Sequence, residues 1–459
     1  MSTNARPFRI AVAGGGIGGL FTAISLHHHC TSNPTTRPIE ISVYEQASQY
    51  KEIGAGVGLG INAARLVHKL GFGDQLNAIA GHRTGVWISF RRFDNSEEVV
   101  TVPVNDDTKV RQAPCARTDL LDLLKSVVEE RGAAKLYTKK AVSGVEDQGE
   151  TVKVRFADGT DTEVEMLVGC DGIHSTVRGQ FVVDRPIFSG QIAYRGLVPI
   201  KDIKEWPFPS YSVCWVAKHR HYLVFPIRRN ETLNIVAFVT KGKDSPDVKD
   251  VKESWASVCD KADVEKDFEG FDGHVRSLID AMPQNPSKWS INDREPLDRW
   301  HYMGGKVVLL GDAAHAMLPH LGAGAGQSLE DGWVLGKALG DYLKTDKSSS
   351  CHFQSLESTA ALYQAVRLPR AQKTQATSRA AGDTYEMQAP DMIDRSFEDC
   401  CDLIAERTRE RMKWVWEEDL DAAYEKVRDE GVQAEQGPNG QKGEEKAQVM
   451  TNGTAVQAP

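Results

Sequence analysis

A chain of 459 residues, 41% of them hydrophobic, is large enough to bury an extensive core and long enough for two or three associated structural units. Its 64 acidic residues outnumber 55 basic ones for a net charge of -9, which excludes the broad cationic face that nucleic acid requires. Eight scattered cysteines, with no C-x-x-C pair and no zinc-like spacing, point to a reduced cytoplasmic protein rather than a disulfide framework or a metal site. No segment reaches the roughly 18 uninterrupted apolar residues of a membrane-spanning helix, so no membrane association is expected.

In chain order, Phe8 to Ala13 reads as a buried strand rather than a secretion signal. It runs into a glycine cluster, followed by a helix from Leu20 to His29, the breaker-rich TSNPTTRP, and a second strand, Ile39 to Tyr44. That order is a βαβ unit. His27, His28 and His29 are consecutive on the helix and point in different directions, which argues against a shared metal. Arg117 to Arg131 is amphipathic and helical, and the strands VKVRFADG and EVEMLVGCDG follow. Between about 181 and 290, QIAYRGLVPI, SYSVCWVAK, HYLVFPIR and LNIVAFVT read as strands of an inserted antiparallel sheet. Lys306 to Leu310 is again a buried strand, and 356–430 is helical and punctuated by Trp414 and Trp416. Beyond Gly431 the composition loses its aromatics and predicts a disordered tail, 431–459.

The expected fold class is therefore α/β: a Rossmann-like nucleotide-binding domain built from 1–75, 107–180 and 291–355, an inserted antiparallel β-sheet domain from 76–106 and 181–290, and a C-terminal helical cap over 356–430.

Three glycine-containing turns carry the chemistry. Gly14, Gly16 and Gly19 satisfy G-x-G-x-x-G: the first allows the tight turn, the second lets backbone approach a pyrophosphate, and the third lets helix and strand pack closely. Glu45, at the end of the second strand, is placed to accept hydrogen bonds from a ribose diol. The second turn is Gly169-Cys170-Asp171-Gly172 and the third is Gly311-Asp312-Ala313-Ala314-His315, in which Asp312 ends a buried strand. After it comes Met317-Leu318-Pro319-His320-Leu321-Gly322-Ala323-Gly324-Ala325-Gly326, a loop whose backbone N–H groups suit an anionic ring.

In this order and at these separations the three motifs resemble the flavoprotein aromatic hydroxylases of the para-hydroxybenzoate hydroxylase type, and GDAAHAMLPH followed by GAGAGQ looks most like salicylate hydroxylases. The likeness spans about residues 8 to 395 and includes the Glu52 to Gly58 loop, Tyr194-Arg195-Gly196 and Arg367-Leu368-Pro369-Arg370. It implies FAD as cofactor, held by Gly14, Gly16, Gly19, Glu45, Gly58, Arg117, Asp171, Asp312, Gly324 and Ala325. It also implies NADH or NADPH as reductant, dioxygen addition to the reduced flavin as a C4a-hydroperoxide, and attack by the phenolate of a small phenolic acid, with the protein a monomer or homodimer. For salicylate, hydroxylation at the carboxyl-bearing carbon expels carbon dioxide and leaves catechol.

Among the residues, His320 is the expected base or proton relay, because its unperturbed pKa lies near neutrality and the matching position in salicylate hydroxylases has that role; His315 reads as structural. Arg195 and Arg228 are the candidates for a substrate carboxylate or phenolate, and His221 and Tyr222 lie on a strand that lines the pocket with only one of them facing inward. Several relatives carry His-x-x-x-Tyr where this chain has His221 and Phe225, so substrates other than salicylate stay open: 3-hydroxybenzoate, a fungal polyketide-type phenol, or a flavin dehydrogenase that does not activate oxygen.

Overall fold

A strand buried on both faces must be apolar along nearly its whole length, and, apart from Arg9 near its start, which is half-buried and pairs with Glu165 at 3.1 Å, Phe8–Ala13 meets that condition. The computed structural model, which describes residues 6–32, 37–49, 56–82, 85–104, 109–242, 257–344 and 355–436, sets it inside a six-stranded sheet. The strand order is His301–Tyr302, Val307–Leu309, Met166–Gly169, Phe8–Ala13, Ile39–Tyr44, Lys135–Tyr137. Pairing is parallel throughout except for the short antiparallel edge at His301–Tyr302. This is the Rossmann-like unit, and the helix Ile17–Thr31 that follows the glycine turn covers it.

That helix packs against Gly324–Tyr342 with almost no side chain between them. A Cβ at Gly332 would lie 2.6 Å from the Thr22 hydroxyl, and one at Gly336 would lie 2.6 Å from that of Ser25. The glycines at every fourth position therefore set how closely the loop before the second helix is drawn toward the first.

The second sheet has eight strands, ordered Ser257–Val258, Ser287–Asp293, Ile187–Pro199, Thr232–Thr240, Arg220–Ile227, Val213–Ala217, Val86–Arg92, Glu98–Pro103. All neighbours are antiparallel except Val213–Ala217 beside Val86–Arg92. Ser287–Asp293 runs across the 290/291 division expected from sequence, because its hydrogen-bond partner is Ile187–Pro199. Of the stretches read as strands after the Arg117 helix, Val152–Phe156 joins a separate three-stranded sheet and Met166–Gly169 enters the parallel one.

Strand alternation divides the large sheet into two faces. Ile192, Tyr194, Tyr222, Val224, Ile235 and Ala237 pack on the helices Lys261–Asp267 and Gly273–Ala281. Ala193, Phe225, Val236 and Phe238 point the other way, toward the nucleotide domain.

Four helices follow to the end of the described residues: Leu356–Tyr385, Phe397–Arg409, Lys413–Glu417 and Leu420–Gln436. The last continues past Gly431, where the sequence had predicted the tail to begin; one glycine costs only about 1 kcal/mol in a helix, and Gln433 to Gln436 are good helix formers. Residues 437–459, and the part of the predicted flavin loop from Glu52 to Ala55, lie outside the described residues. Among the described residues no helix is long and apolar enough to cross a membrane, and no group of three or more His, Cys, Asp or Glu is placed to hold a metal.

Candidate active site

At the end of Phe8–Ala13 the backbone turns through Gly14 at φ +101°, a conformation that side-chain-bearing residues rarely adopt. A Cβ there would also sit 2.4 Å from the Cys170 carbonyl oxygen, so the first and second glycine turns are in direct contact. Gly19 is equally constrained, with its Cβ position 2.0 Å from the Gly14 oxygen. Gly16 has nothing within 4 Å of its Cβ position, and the helix it precedes has neither a side-chain cap nor an acidic residue in its first turn. An open concavity facing an uncapped helix N-terminus is what the pyrophosphate of a dinucleotide fits.

Glu45 stands at the lip of this turn, its carboxylate accepting from the Gly15 N–H at 2.8 Å and the Ala47 N–H at 2.8 Å. The third turn reaches the same place: Gly311, at φ +61°, and Gly18 both pack on Ser328, whose Cβ lies 3.1 and 3.2 Å from their Cβ positions. Asp312 is exposed toward the cavity and lies near enough to Arg117 to favour that residue's charge. Asp171 is tied into the second turn. Its carboxylate accepts from the Ser175 hydroxyl at 2.5 Å and the Val177 N–H at 3.0 Å, and burial pushes its pKa up against those bonds. It shapes the turn that Gly14 rests on.

From this groove a cavity of about 300 Å³ extends under the second sheet. Its floor is Met317 to Ala325, and its roof includes Trp87, Leu223, Phe225, Phe238 and Trp289. Gly58, Arg117, Asp312, Gly324 and Ala325 all line it. The helix Gly324–Tyr342 starts without a side-chain cap, so a second positive helix end points into the space. The extended groove, two uncapped helix starts and a cavity floored by backbone together fit a flavin dinucleotide.

Arg195 lies on the cavity wall with its guanidinium 4.1 Å from the centre of the Trp289 ring. Its Nε has no hydrogen-bond acceptor, and burial, with Arg117 adding repulsion, lowers its pKa to about 10. A cation so placed favours an anionic ligand.

His320 sits in the short turn Pro319–Leu321. Its Nε2 meets the side-chain oxygen of Gln191 at 2.9 Å, while its Nδ1 has no partner. Burial, and then the proximity of His221, push its pKa well below the usual value, so the ring is a neutral hydrogen-bonding group. The loop is clamped by the long helix: Ser378 donates to the Leu318 carbonyl at 2.5 Å and Gln375 to that of Ala316 at 3.0 Å.

Gly382, on the same helix, makes room for the imidazole, since a Cβ there would be 2.5 Å from His320 Cδ2. Gly382→Ala is expected to lower kcat/KM about tenfold by displacing His320, even though alanine improves intrinsic helix propensity by up to about 1 kcal/mol. Steady-state kinetics beside a thermal melt check this; unchanged kinetics would show that the ring position is not critical.

The remaining sequence candidates separate. His221 is buried on the cavity-side face but does not line the cavity; its ring stacks on Phe238 at 4.4 Å and lies 5.5 Å from that of His320. Tyr222 points to the opposite face, where its ring packs 6.2 Å from Trp215 and 5.3 Å from Phe268, so it has no access to the cavity. Arg228 lies beyond the strand end at Ile227, exposed in a hairpin turn at φ +50° and 3.4 Å from Asp119. Neither is placed to touch a substrate. Sequence reasoning missed Gln191, although it shares a strand face with Arg195 by simple alternation, and also Trp289 and Gly382.

His315 is buried, its Nε2 2.6 Å from Asp331. It belongs to an ionic cluster in which Arg367 bonds Asp331 at 2.8 Å and Glu330 at 2.6 Å, and Arg370 bonds Glu330 at 2.7 and 2.8 Å. Asp331 also accepts from the Gly311 N–H at 3.0 Å, which ties the cluster to the third turn.

The family profile described as FAD binding domain matches residues 8–375. Salicylate hydroxylase of Pseudomonas putida is 32% identical over 451 residues, covering 93% of this chain and 96% of that one. The 3-hydroxybenzoate 6-hydroxylase of Polaromonas naphthalenivorans (strain CJ2) is 31% identical over 424 residues, covering 91% and 97%. A solved structure described as a salicylate hydroxylase substrate complex superposes with a TM-score of 0.76 at 28% identity, covering 92% of this chain and 98% of that one.

Proposed function

The chain belongs to the FAD binding domain family and is an FAD-dependent aromatic monooxygenase of the salicylate hydroxylase kind, using NAD(P)H as reductant; from that premise we propose that its substrate is a single-ring ortho-hydroxybenzoate, salicylate itself, converted to catechol with loss of carbon dioxide. The observation that carries this reading is Arg195, a cation on the cavity wall whose Nε lacks an acceptor. A substrate carboxylate supplies the missing partner. The cavity volume, about 300 Å³, lies at the small end for ligand sites and is shared with the flavin edge, which favours one aromatic ring over a polycyclic phenol.

Bound FAD supplies the redox chemistry, accepting hydride from NAD(P)H and delivering one atom of dioxygen to the ring. The protein supplies position and protonation state. Arg195 neutralises the carboxylate, Trp289 and Phe238 give the space an aromatic roof, and His320 accepts a hydrogen bond from the phenolic hydroxyl, which raises electron density on the ring. Gln191, holding His320 Nε2, leaves Nδ1 as the accepting nitrogen. Catalytic roles for Arg195 and His320, and FAD contacts by Gly14, Gly16, Gly58, Arg117, Asp312, Gly324 and Ala325, are part of this proposal.

The balance is one salicylate, one NADH, one dioxygen and two protons to one catechol, one carbon dioxide, one NAD+ and one water. Incubation with NADH and salicylate should release catechol and carbon dioxide in equal amounts. An oxygenated product that keeps its carboxyl group, obtained from 3-hydroxybenzoate in preference to salicylate, overturns the assignment in favour of the second relative's chemistry.

A further inference from the structure

Where the main cavity approaches the C-terminal helices, a second chamber of about 40 Å³ adjoins it. Five residues line both spaces. Gly58, Gly322 and Ala323 present only backbone or a methyl group, so the partition between the two is made by the large side chains of Trp87, from the second sheet, and Leu321, from the turn that carries His320. The wall of the chamber on the helical side is Met412, Val415 and Trp416, in and just before the helix Lys413–Glu417.

Trp87 is aimed into the cavity by an irregularity in its strand. Val86 pairs with Pro103 and Ile88 with Val102, which leaves Trp87 as the extra residue of a bulge. Plain alternation would send Trp87 and Ile88 to opposite faces; with the bulge, both line the cavity. The backbone here is fixed, because the Trp87 carbonyl accepts from the Ser212 hydroxyl at 2.6 Å and the Ser89 N–H donates to the Ser212 carbonyl at 2.9 Å. The indole is also backed from behind, meeting the Trp416 ring edge-to-face with centroids 5.4 Å apart. Trp416 is itself anchored. Arg65 donates to its carbonyl, Arg370 donates to those of Trp414 and Val415 at 3.2 and 2.8 Å, and Arg370 is locked on Glu330 by two further bonds. An indole packed between a strand bulge and a pinned helix does not yield when a ligand presses on it.

We propose that Trp87 sets the size limit of the substrate: with Leu321 it confines the ring to the main cavity and closes off the space that a fused second ring would enter. The inference rests on the carboxylated-phenol reading above and fixes its upper boundary. Volume decides between a partition and a ready-made subsite. A chamber of about 40 Å³ has room for about three waters, too little for an aromatic ring, whereas the chamber joined to the space of the indole is enough for one. A fixed wall discriminates by clashing with the larger ligand while leaving the contacts of the smaller one intact. Trp87 therefore acts on specificity and moves no proton.

Titration of the FAD-loaded protein with ligands, followed by the flavin spectrum without NAD(P)H, tests this. The two-ring probes are 1-hydroxy-2-naphthoate and 3-hydroxy-2-naphthoate, which keep the adjacent hydroxyl and carboxylate of salicylate and carry the second ring on different edges. The unsubstituted protein should bind salicylate about tenfold or more tightly than either. Trp87→Ala should raise the affinity for at least one naphthoate, relative to salicylate, by roughly 10²-fold. Should Trp87→Ala fail to retain FAD, Trp87→Leu, which keeps an apolar contact with Trp416, is expected to shift the ratio in the same direction by a smaller factor. Trp416→Ala enlarges the chamber behind an intact partition and should shift it far less than Trp87→Ala. The proposal is overturned if the unsubstituted protein binds a naphthoate as tightly as salicylate, if neither Trp87 variant changes the ratio, or if Trp416→Ala changes it equally, since chamber volume would then set the limit. If salicylate leaves the flavin spectrum unchanged, the substrate reading fails instead, and 3-hydroxybenzoate against 4-hydroxy-2-naphthoate decides the partition by the same ratio.

Discussion

Arg195→Met is expected to lower kcat/KM for salicylate by roughly 10²- to 10³-fold, equivalent to about 3–4 kcal/mol, the range seen when one partner of a desolvated charge pair is truncated. Two features make the effect specific. The guanidinium stacks on Trp289, and methionine preserves much of that apolar contact while removing the charge. Stability should move the other way or not at all, because an unliganded cation whose pKa burial lowers to about 10 gives the fold no compensated ion pair to lose. A phenol of similar size without a carboxylate should therefore lose little from the substitution. An equal loss for both ligands would mean that Arg195 shapes the cavity and does not bind the carboxyl group.

What could be read from the sequence follows from how local each interaction is. The turns at Gly14 and Gly311 adopt positive φ, a requirement written in single residues, and they place the nucleotide groove without knowledge of anything distant. Gln191, Ala193 and Arg195 share one face of one strand, so the arginine's inward direction needed only alternation. Alternation also fixed that His221 and Tyr222 diverge, but not which face was the cavity. That choice depends on the helices at Lys261–Asp267 and Gly273–Ala281, which cover the other side. Arg228 was misplaced because the strand stops at Ile227 and the next three residues all adopt positive φ, so the alternation did not extend to it. That Ser175 and Val177 also engage the Asp171 carboxylate is not written in the motif, which names only the acid. Gly382 acts on His320 across a separation that no local pattern records.

Arg367→Met is expected to cost about 3–5 kcal/mol, because it leaves two buried carboxylates short of their cation. Burial alone raises Glu330 and Asp331; both are nevertheless held below their usual pKa, Glu330 by Arg367 and Arg370, Asp331 by His315 and Arg367. In the native protein, then, these carboxylates add stability above their unfolded pKa values that is lost as pH falls through the lower folded ones. Without Arg367 the burial contribution loses its main opposition and the folded pKa values rise. The variant's deficit should be greatest near neutral pH and should narrow as acid protonates the two groups. Paired thermal melts across pH check the sign: a deficit constant with pH would assign the loss to packing. Flavin retention should fall with stability, because Asp331 holds the Gly311 N–H at 3.0 Å and Arg367 also bonds the Gln327 side chain at 2.7 Å, in the first turn of the helix that floors the cavity. One buried guanidinium thereby connects the cap helix to both backbone segments on which the flavin site depends.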